Sequence, residues 1–274
     1  MTTTEFIEGQ AGSIAIHRLG GEGPATLIVA HATGFHGQVY RALAYELRQD
    51  VTTVALDLRA HGDSDAPSDE AGFAWGGMVD DLLRVVDHVG AETVHGFGHS
   101  MGGAALLGAE SERPGTFASI FTFEPVVPPT VFPGESAIVR VARARRRAFD
   151  SHAAALQRYA ARPPLGLLRA DVLSDYVHHG FAETDSGVTL KCTPESEAST
   201  FMNAGSIRLV HLAEIESPVI VAKSGDGGMP AQLAEGVADA LPNGTLRHFP
   251  AMTHFGPLQD PVAVANAVRD QLGG

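Results

Sequence analysis

Apolar residues recur along the chain in short runs separated by longer mixed stretches. Ser13-Ile14-Ala15-Ile16-His17 alternates, whereas Ala25–Ala30, Val51–Leu56 and Thr93–Phe97 are almost continuously apolar. Short continuous runs suit strands buried on both faces, as in a parallel sheet with helices on either side. Between them, Trp75, Met78, Leu82, Val85, Val86 and Val89 mark the stripe of an amphipathic helix. This alternation of strand and helix predicts an α/β layered sheet.

The alternation stops after Ile120-Phe121-Thr122-Phe123. Pro128, Pro129 and Pro133 exclude helix interior and central strand from Val126 to Gly134, and a mainly helical stretch follows with a proline pair at Pro163-Pro164. Strand character returns at Val219–Ala222, followed by a helix, a strand around Leu246 and a last helix opened by Asp260 as N-cap and Pro261 at its first position. The predicted organisation is an α/β core from residues 1–126 and 213–274, with a helical cap inserted over residues 127–212.

Composition narrows the function classes. The 274 residues carry a net charge of −13, which disfavours a sequence-independent grip on nucleic acid or an anionic membrane. A hydrophobic share of 44% against 19% charged is globular composition. The single cysteine, Cys192, excludes an internal disulfide framework and a multi-thiolate metal site. With no secretory signal at the start and no apolar run of membrane-spanning length, the expectation is a cytoplasmic protein. No metal, flavin or nucleotide cofactor is expected.

The candidate chemistry centres on Gly98-His99-Ser100-Met101-Gly102, a G-x-S-x-G placed after a strand and before Ala104-Ala105-Leu106-Leu107. A serine on a sharp strand-to-helix turn lifts its hydroxyl above the sheet, beside the N–H groups that open the helix. Ser100 is the candidate nucleophile, and it needs a base. Of the 13 histidines, His254 lies in a loop between the last strand and the last helix, at the sheet end where open α/β folds place their sites. The pair His178-His179 reads as solvated. The histidine needs an acid: Asp226, after the strand Val219–Ala222, is the first candidate, and Glu124, after Ile120–Phe123, is the alternative. Oxyanion donors are expected from the backbone N–H of Met101 and, in His31-Ala32-Thr33-Gly34-Phe35, of Thr33.

Together these residues resemble the α/β-hydrolase fold of serine hydrolases: His31-Ala32-Thr33-Gly34, Asp57-Leu58-Arg59-Ala60-His61-Gly62-Asp63-Ser64, Gly98–Gly103 and Thr253-His254-Phe255 follow that family's order and spacing. The resemblance covers nearly the whole chain apart from the cap. It implies a mostly parallel central sheet with helices on both faces, and it makes Asp57–Ser64 an ion-paired structural turn beside the site. Ala32 stands where the family's oxyanion loop usually has glycine, and Lys223 replaces the glycine of the usual G-x-x-D before the acid. Glu124 occupies a position similar to the acid used after strand six by some haloalkane dehalogenases. Ser100 itself argues against the dehalogenase and epoxide hydrolase branches, which carry aspartate at the elbow.

The leading expectation is hydrolysis of a carboxylic ester or lactone, a small-molecule substrate, through an acyl-enzyme. The alternatives are carbon–carbon bond cleavage of the meta-cleavage-product type and a ligand-binding receptor on the same fold. Phe35, Tyr40 and Phe255 are candidates for an apolar pocket wall. Arg140, Arg143, Arg145, Arg146 and Arg147 read as a mainly solvated basic run, because Ile138, Val141, Ala142, Ala148 and Phe149 can share one helical face. The sequence does not decide between monomer and homodimer.

Overall fold

A computed structural model describes residues 2–129 and 134–273. Pro133, which belongs to the expected proline-rich break, lies outside the described residues. The strands β1 (Thr3–Gly9), β2 (Gly12–Gly20) and β3 (Ala25–Ala30) are followed by α1 (Arg41–Glu46), β4 (Val51–Leu56), α2 (Trp75–Val89), β5 (Val94–His99), α3 (Met101–Glu112) and β6 (Ser119–Phe123). The segment that follows holds α4 (Ala137–Arg143), β7 (Ala148–Phe149), α5 (His152–Ala160), α6 (Ala170–Gly180), β8 (Phe181–Thr184), β9 (Gly187–Leu190) and α7 (Pro194–Met202). Then come β10 (Val219–Ser224), α8 (Met229–Ala240), β11 (Gly244–Phe249), α9 (Gly256–Gln259) and α10 (Pro261–Leu272).

Eight strands form one sheet in the order β1-β2-β4-β3-β5-β6-β10-β11, parallel from β4 onward, with β2 antiparallel to both its neighbours. Successive residues of each strand point to opposite faces, so continuous apolar runs feed two cores. Ile28, Val54, Ile120 and Val221 are buried with α2, α3 and α8. Leu27, Val29, Phe97 and Phe121 are buried with α1 and α10 on the other side. The expected stripe Trp75, Met78, Leu82 and Val85 is the buried face of α2, which ends where Gly90 takes a left-handed φ of 60°. Strand β1 has no counterpart among the expected strands.

The inserted segment is not purely helical, because β7, β9 and β8 form a small antiparallel sheet within it. Ala204, Ile207 and Leu212, expected in the cap, are buried in the cluster that includes α3 and α8. The chain therefore rejoins the core cluster before residue 212. Among the described residues, no helix is long and apolar enough to cross a membrane.

Register sets up the site. Ala30 pairs with Leu56 and Gly98, and Phe123 pairs with His99 and Ala222. The carboxyl ends of β4, β3, β5 and β6 thus lie within one residue of level, β10 runs two residues further, and the residues that follow these strands gather at one rim.

Candidate active site

Ser100 occupies the single position between β5 and α3, with φ 55° and ψ −114°. A left-handed φ costs a non-glycine residue about 1–3 kcal/mol, so the surroundings must hold it. Its N–H donates to the Phe123 carbonyl at 3.0 Å, and its own carbonyl accepts from Ala104 N–H at 3.1 Å and Val126 N–H at 3.3 Å. A Cβ at Gly102 would collide with the Ala30 carbonyl, and one at Gly98 with the backbone of Gly103. These close approaches explain the flanking glycines. Ser100 is 7% exposed.

The loop after β3 is tied to the same turn. Gly102 N–H donates to the His31 carbonyl at 3.1 Å, and the Thr33 hydroxyl reaches Met101 Sδ at 3.3 Å. Among the described residues, neither Thr33 N–H nor Met101 N–H donates to a backbone acceptor, so both expected oxyanion donors are unspent on backbone. The left-handed residue of this loop is Gly34, at φ 79°. Position 32 therefore makes no conformational demand that only glycine meets, and Ala32 fits.

His254 lies on the turn between β11 and α9. Its Nδ1 is 2.6 Å from Oε2 of Glu124, a carboxylate with 0% exposure. The other oxygen of Glu124 accepts the Ser224 N–H at 2.7 Å. Glu124 also has a left-handed backbone, at φ 47°. Asp226, the first candidate for the imidazole's partner, is placed differently. It is exposed; its Oδ2 accepts the main-chain N–H of His254 at 3.0 Å, and its Oδ1 accepts from Ser224 Oγ and Gly228 N–H, each at 3.0 Å. The geometry thus moves the imidazole's partner from Asp226 to the alternative, Glu124, because β6 sits beside β5 and delivers its next residue beneath the His254 ring. Burial pushes the Asp226 carboxyl up, but the N–H groups of Gly228 and His254 outweigh it and hold the group below the usual carboxylate range. With Nδ1 engaged, Nε2 is the nitrogen left to take a proton. It makes no hydrogen bond to Ser100 Oγ within 3.5 Å among the described residues; catalytic contacts are commonly looser without substrate.

The model of the alpha/beta hydrolase family matches residues 27–267. The chain belongs to this family. Among curated relatives, the lipase LipV of Mycobacterium tuberculosis is 30% identical over 112 residues, 41% of each chain. The chain thus spans about two fifths of that relative's length. Among solved structures, E-2-(acetamidomethylene)succinate hydrolase superposes with a TM-score of 0.82 at 19% identity, covering 100% of both chains. The peroxisomal alpha-beta-hydrolase Lpx1 of Saccharomyces cerevisiae gives 0.84 at 15%, covering 100% of this chain and 88% of the other.

Around the elbow of this alpha/beta hydrolase, Phe35 packs against Phe255 and Tyr176 at centroid distances of 5.7 and 5.1 Å. Tyr40 departs from its expected place in the pocket wall. It is buried against Phe97, with its hydroxyl 2.9 Å from His99 Nδ1, and offers no face to a substrate. Four of the five cap arginines are exposed as expected, but Arg145 turns inward to Glu197 and to the Tyr176 hydroxyl, the latter at 2.5 Å. A side chain at Gly34 would meet both Glu197 and Arg145, so this pair lies against the oxyanion loop. His17, Asp57 and Asp63 bring three potential metal ligands together. Asp57 already accepts from the N–H groups of Gly37 and Asp63, and Asp63 is paired with Lys191, so the cluster reads as the turn's own internal bonding. Sequence reasoning does not single out His99, whose only signal is its place inside the serine motif.

Proposed function

We propose that the protein is a serine hydrolase cleaving a small carboxylic ester or lactone, with Ser100 as nucleophile, His254 as general base and acid, and Glu124 as the carboxylate that orients and stabilises the imidazole. One observation carries this reading: the buried Glu124 carboxylate lies 2.6 Å from His254 Nδ1, at the residue that follows β6, the strand next to the one that ends at the Ser100 elbow. In the acylation step, Ser100 Oγ attacks the carbonyl carbon and its proton passes to His254 Nε2. Nδ1–H stays bonded to Glu124, which stabilises the imidazolium. The carbonyl oxygen takes the negative charge between the N–H groups of Thr33 and Met101. The tetrahedral centre collapses, the carbon–oxygen bond to the alkoxide breaks, and the alkoxide leaves with the Nε2 proton. Water then repeats the sequence, giving its proton to His254 and its hydroxyl to the acyl carbon, and Ser100 Oγ regains a proton from Nε2. Phe35 and Phe255 form an apolar wall for the acyl group, the inserted segment acts as a lid, and the setting is cytoplasmic.

The test is initial rates on an aryl ester, a lactone and a vinylogous diketone, with wild type beside Ser100→Ala. Ester or lactone turnover should fall by on the order of 10⁶-fold in the variant, with Tm nearly unchanged. Full activity in Ser100→Ala would remove the nucleophile. Turnover of the diketone alone would replace the ester reading by carbon–carbon cleavage.

A further inference from the structure

The main chain of His254 is held from both sides. Asp226 accepts its N–H at 3.0 Å, and the ring of His99 meets its carbonyl, with Nε2 2.7 Å from the oxygen. A carbonyl only accepts, so His99 Nε2 carries the hydrogen. The other nitrogen, Nδ1, is 2.9 Å from the Tyr40 hydroxyl. His99 is completely buried, its ring 5.1 Å from that of His254. Burial, reinforced by the neighbouring His254, pushes it well below the ordinary histidine range, so the ring is neutral. In a neutral ring with Nε2–H, Nδ1 is an acceptor, and the Tyr40 O–H must donate to it. The chain of bonds therefore has one direction: Tyr40 O–H to His99 Nδ1, and His99 Nε2–H to the His254 carbonyl.

The side chain of the residue just before the nucleophile is thus bonded to the backbone of the residue read as its base. Ser100 lies on a strained elbow between β5 and α3, whereas His254 lies on a separate turn after β11. Nothing in their chain connectivity fixes the distance between them. We propose that His99, with its ring orientation set by Tyr40, is a positioning residue that locks the His254 turn to the nucleophile elbow and so sets the approach of His254 Nε2 to Ser100 Oγ. The inference rests on the hydrolase reading and adds to it a residue that acts through the main chain of His254. Asp226 holds the N–H end of the same residue, which gives that exposed carboxylate a task other than pairing with the imidazole.

The experiment compares wild type with His99→Leu, His99→Gln and Tyr40→Phe, each checked for Tm. Glutamine places an amide N–H where His99 Nε2–H stands, whereas leucine removes the donor. Three readouts are taken: kcat and KM on an aryl ester, the rate of Ser100 labelling by a fluorophosphonate, and the His254 Nδ1–H resonance in protein with ¹⁵N-labelled histidine. A displacement of about 1 Å between reacting groups costs roughly 100-fold in rate. His99→Leu should therefore lose on the order of 100-fold in kcat and in labelling with little change in KM, and its His254 Nδ1–H signal should shift or broaden. Tyr40→Phe, which loses one neutral hydrogen bond, should lose roughly fivefold. His99→Gln should recover most of the loss. Equal kcat in His99→Leu and wild type overturns the proposal, and so does a loss that glutamine does not rescue. If wild type neither labels nor turns over ester, the hydrolase reading fails. The tether is then judged on the resonance alone, and an unshifted His254 signal in His99→Leu overturns it.

Discussion

Replacing Glu124 by glutamine should do more damage than replacing Asp226 by asparagine, and the hydrogen bonds indicate by how much. Glu124 has two fixed partners: Oε1 accepts the Ser224 N–H at 2.7 Å and Oε2 faces His254 Nδ1 at 2.6 Å. A glutamine there must keep its carbonyl on the Ser224 N–H, because a backbone donor cannot turn away. Its NH₂ group then faces His254 Nδ1 and forces that nitrogen to accept. The ring proton moves to Nε2, the atom that must take the serine proton, and the buried charge that stabilised the imidazolium is lost. In a comparable Ser-His-Asp triad, the wrong tautomer lowers kcat by about 10⁴, which is about 5 kcal/mol of barrier. Asp226 is exposed, and asparagine keeps one acceptor oxygen for Ser224 Oγ and Gly228 N–H. Only the bond to the His254 main-chain N–H is put at risk, and water can replace it, so the loss should stay within about tenfold. The assay is kcat on an aryl ester together with fluorophosphonate labelling of Ser100, each variant at matched folded fraction. The reverse ranking, with Asp226→Asn the slower enzyme, would refute the reasoning and return the imidazole's carboxylate to β10.

Two further expectations concern stability. Arg59 and Asp81 form a buried two-point ion pair, with Nε and Nη2 at 2.7 and 2.8 Å from the carboxylate; Asp81→Ala strands the guanidinium and should cost about 3–5 kcal/mol, a fall in Tm on the order of 10 °C, whereas a fall within a degree or two by calorimetry would show the pair to be idle. Burial holds His31 at about 3 and His36 at about 4 in the folded chain, against about 6.5 unfolded. Below pH about 6.5 the unfolded chain takes up protons that the folded one refuses, so stability falls as pH falls. His36 alone should account for on the order of 3 kcal/mol by pH 4; urea unfolding followed from pH 7 to 4.5 should show this decline, and a flat profile would contradict neutral burial of both rings.

The residues that could be read from the sequence are those whose job is local. The serine elbow, the Thr33–Gly34 turn and the Asp57–Ser64 segment depend on glycines and polar residues a few positions apart, and all three lie at one rim because β3, β4 and β5 end level. The choice of acid was not legible, because it depends on which strand neighbours β5 and how far each side chain reaches. Nor was Arg145. The expected helical face does not form: α4 ends at Arg143 and buries Val139 and Ala142, whereas Ile138 and Val141 are exposed and Ala148-Phe149 belongs to β7; beyond α4 the direction of Arg145 follows a turn in which its N–H bonds the Ala142 carbonyl. The place of Tyr40 is hidden for a similar reason. An aromatic near a motif looks like pocket wall, and only the fold shows that its hydroxyl is spent on His99.

The division of work between the two carboxylates has a physical basis. A charge that must stabilise an imidazolium is most effective where water cannot screen it, and Glu124 has 0% exposure. A carboxylate that only accepts a main-chain N–H needs no such isolation, and Asp226 is exposed. Backbone strain follows the same division. Glu124 and Ser100 both hold left-handed φ values, and they are coupled, since Ser100 N–H bonds the Phe123 carbonyl and Val126 N–H bonds the Ser100 carbonyl. The proposed nucleophile and acid therefore sit on one hydrogen-bonded unit of β5 and β6, and the pairing of those two strands fixes the distance between them. Only His254 comes from a remote part of the chain, which is why its peptide group is held at the N–H end by Asp226 and at the carbonyl by His99.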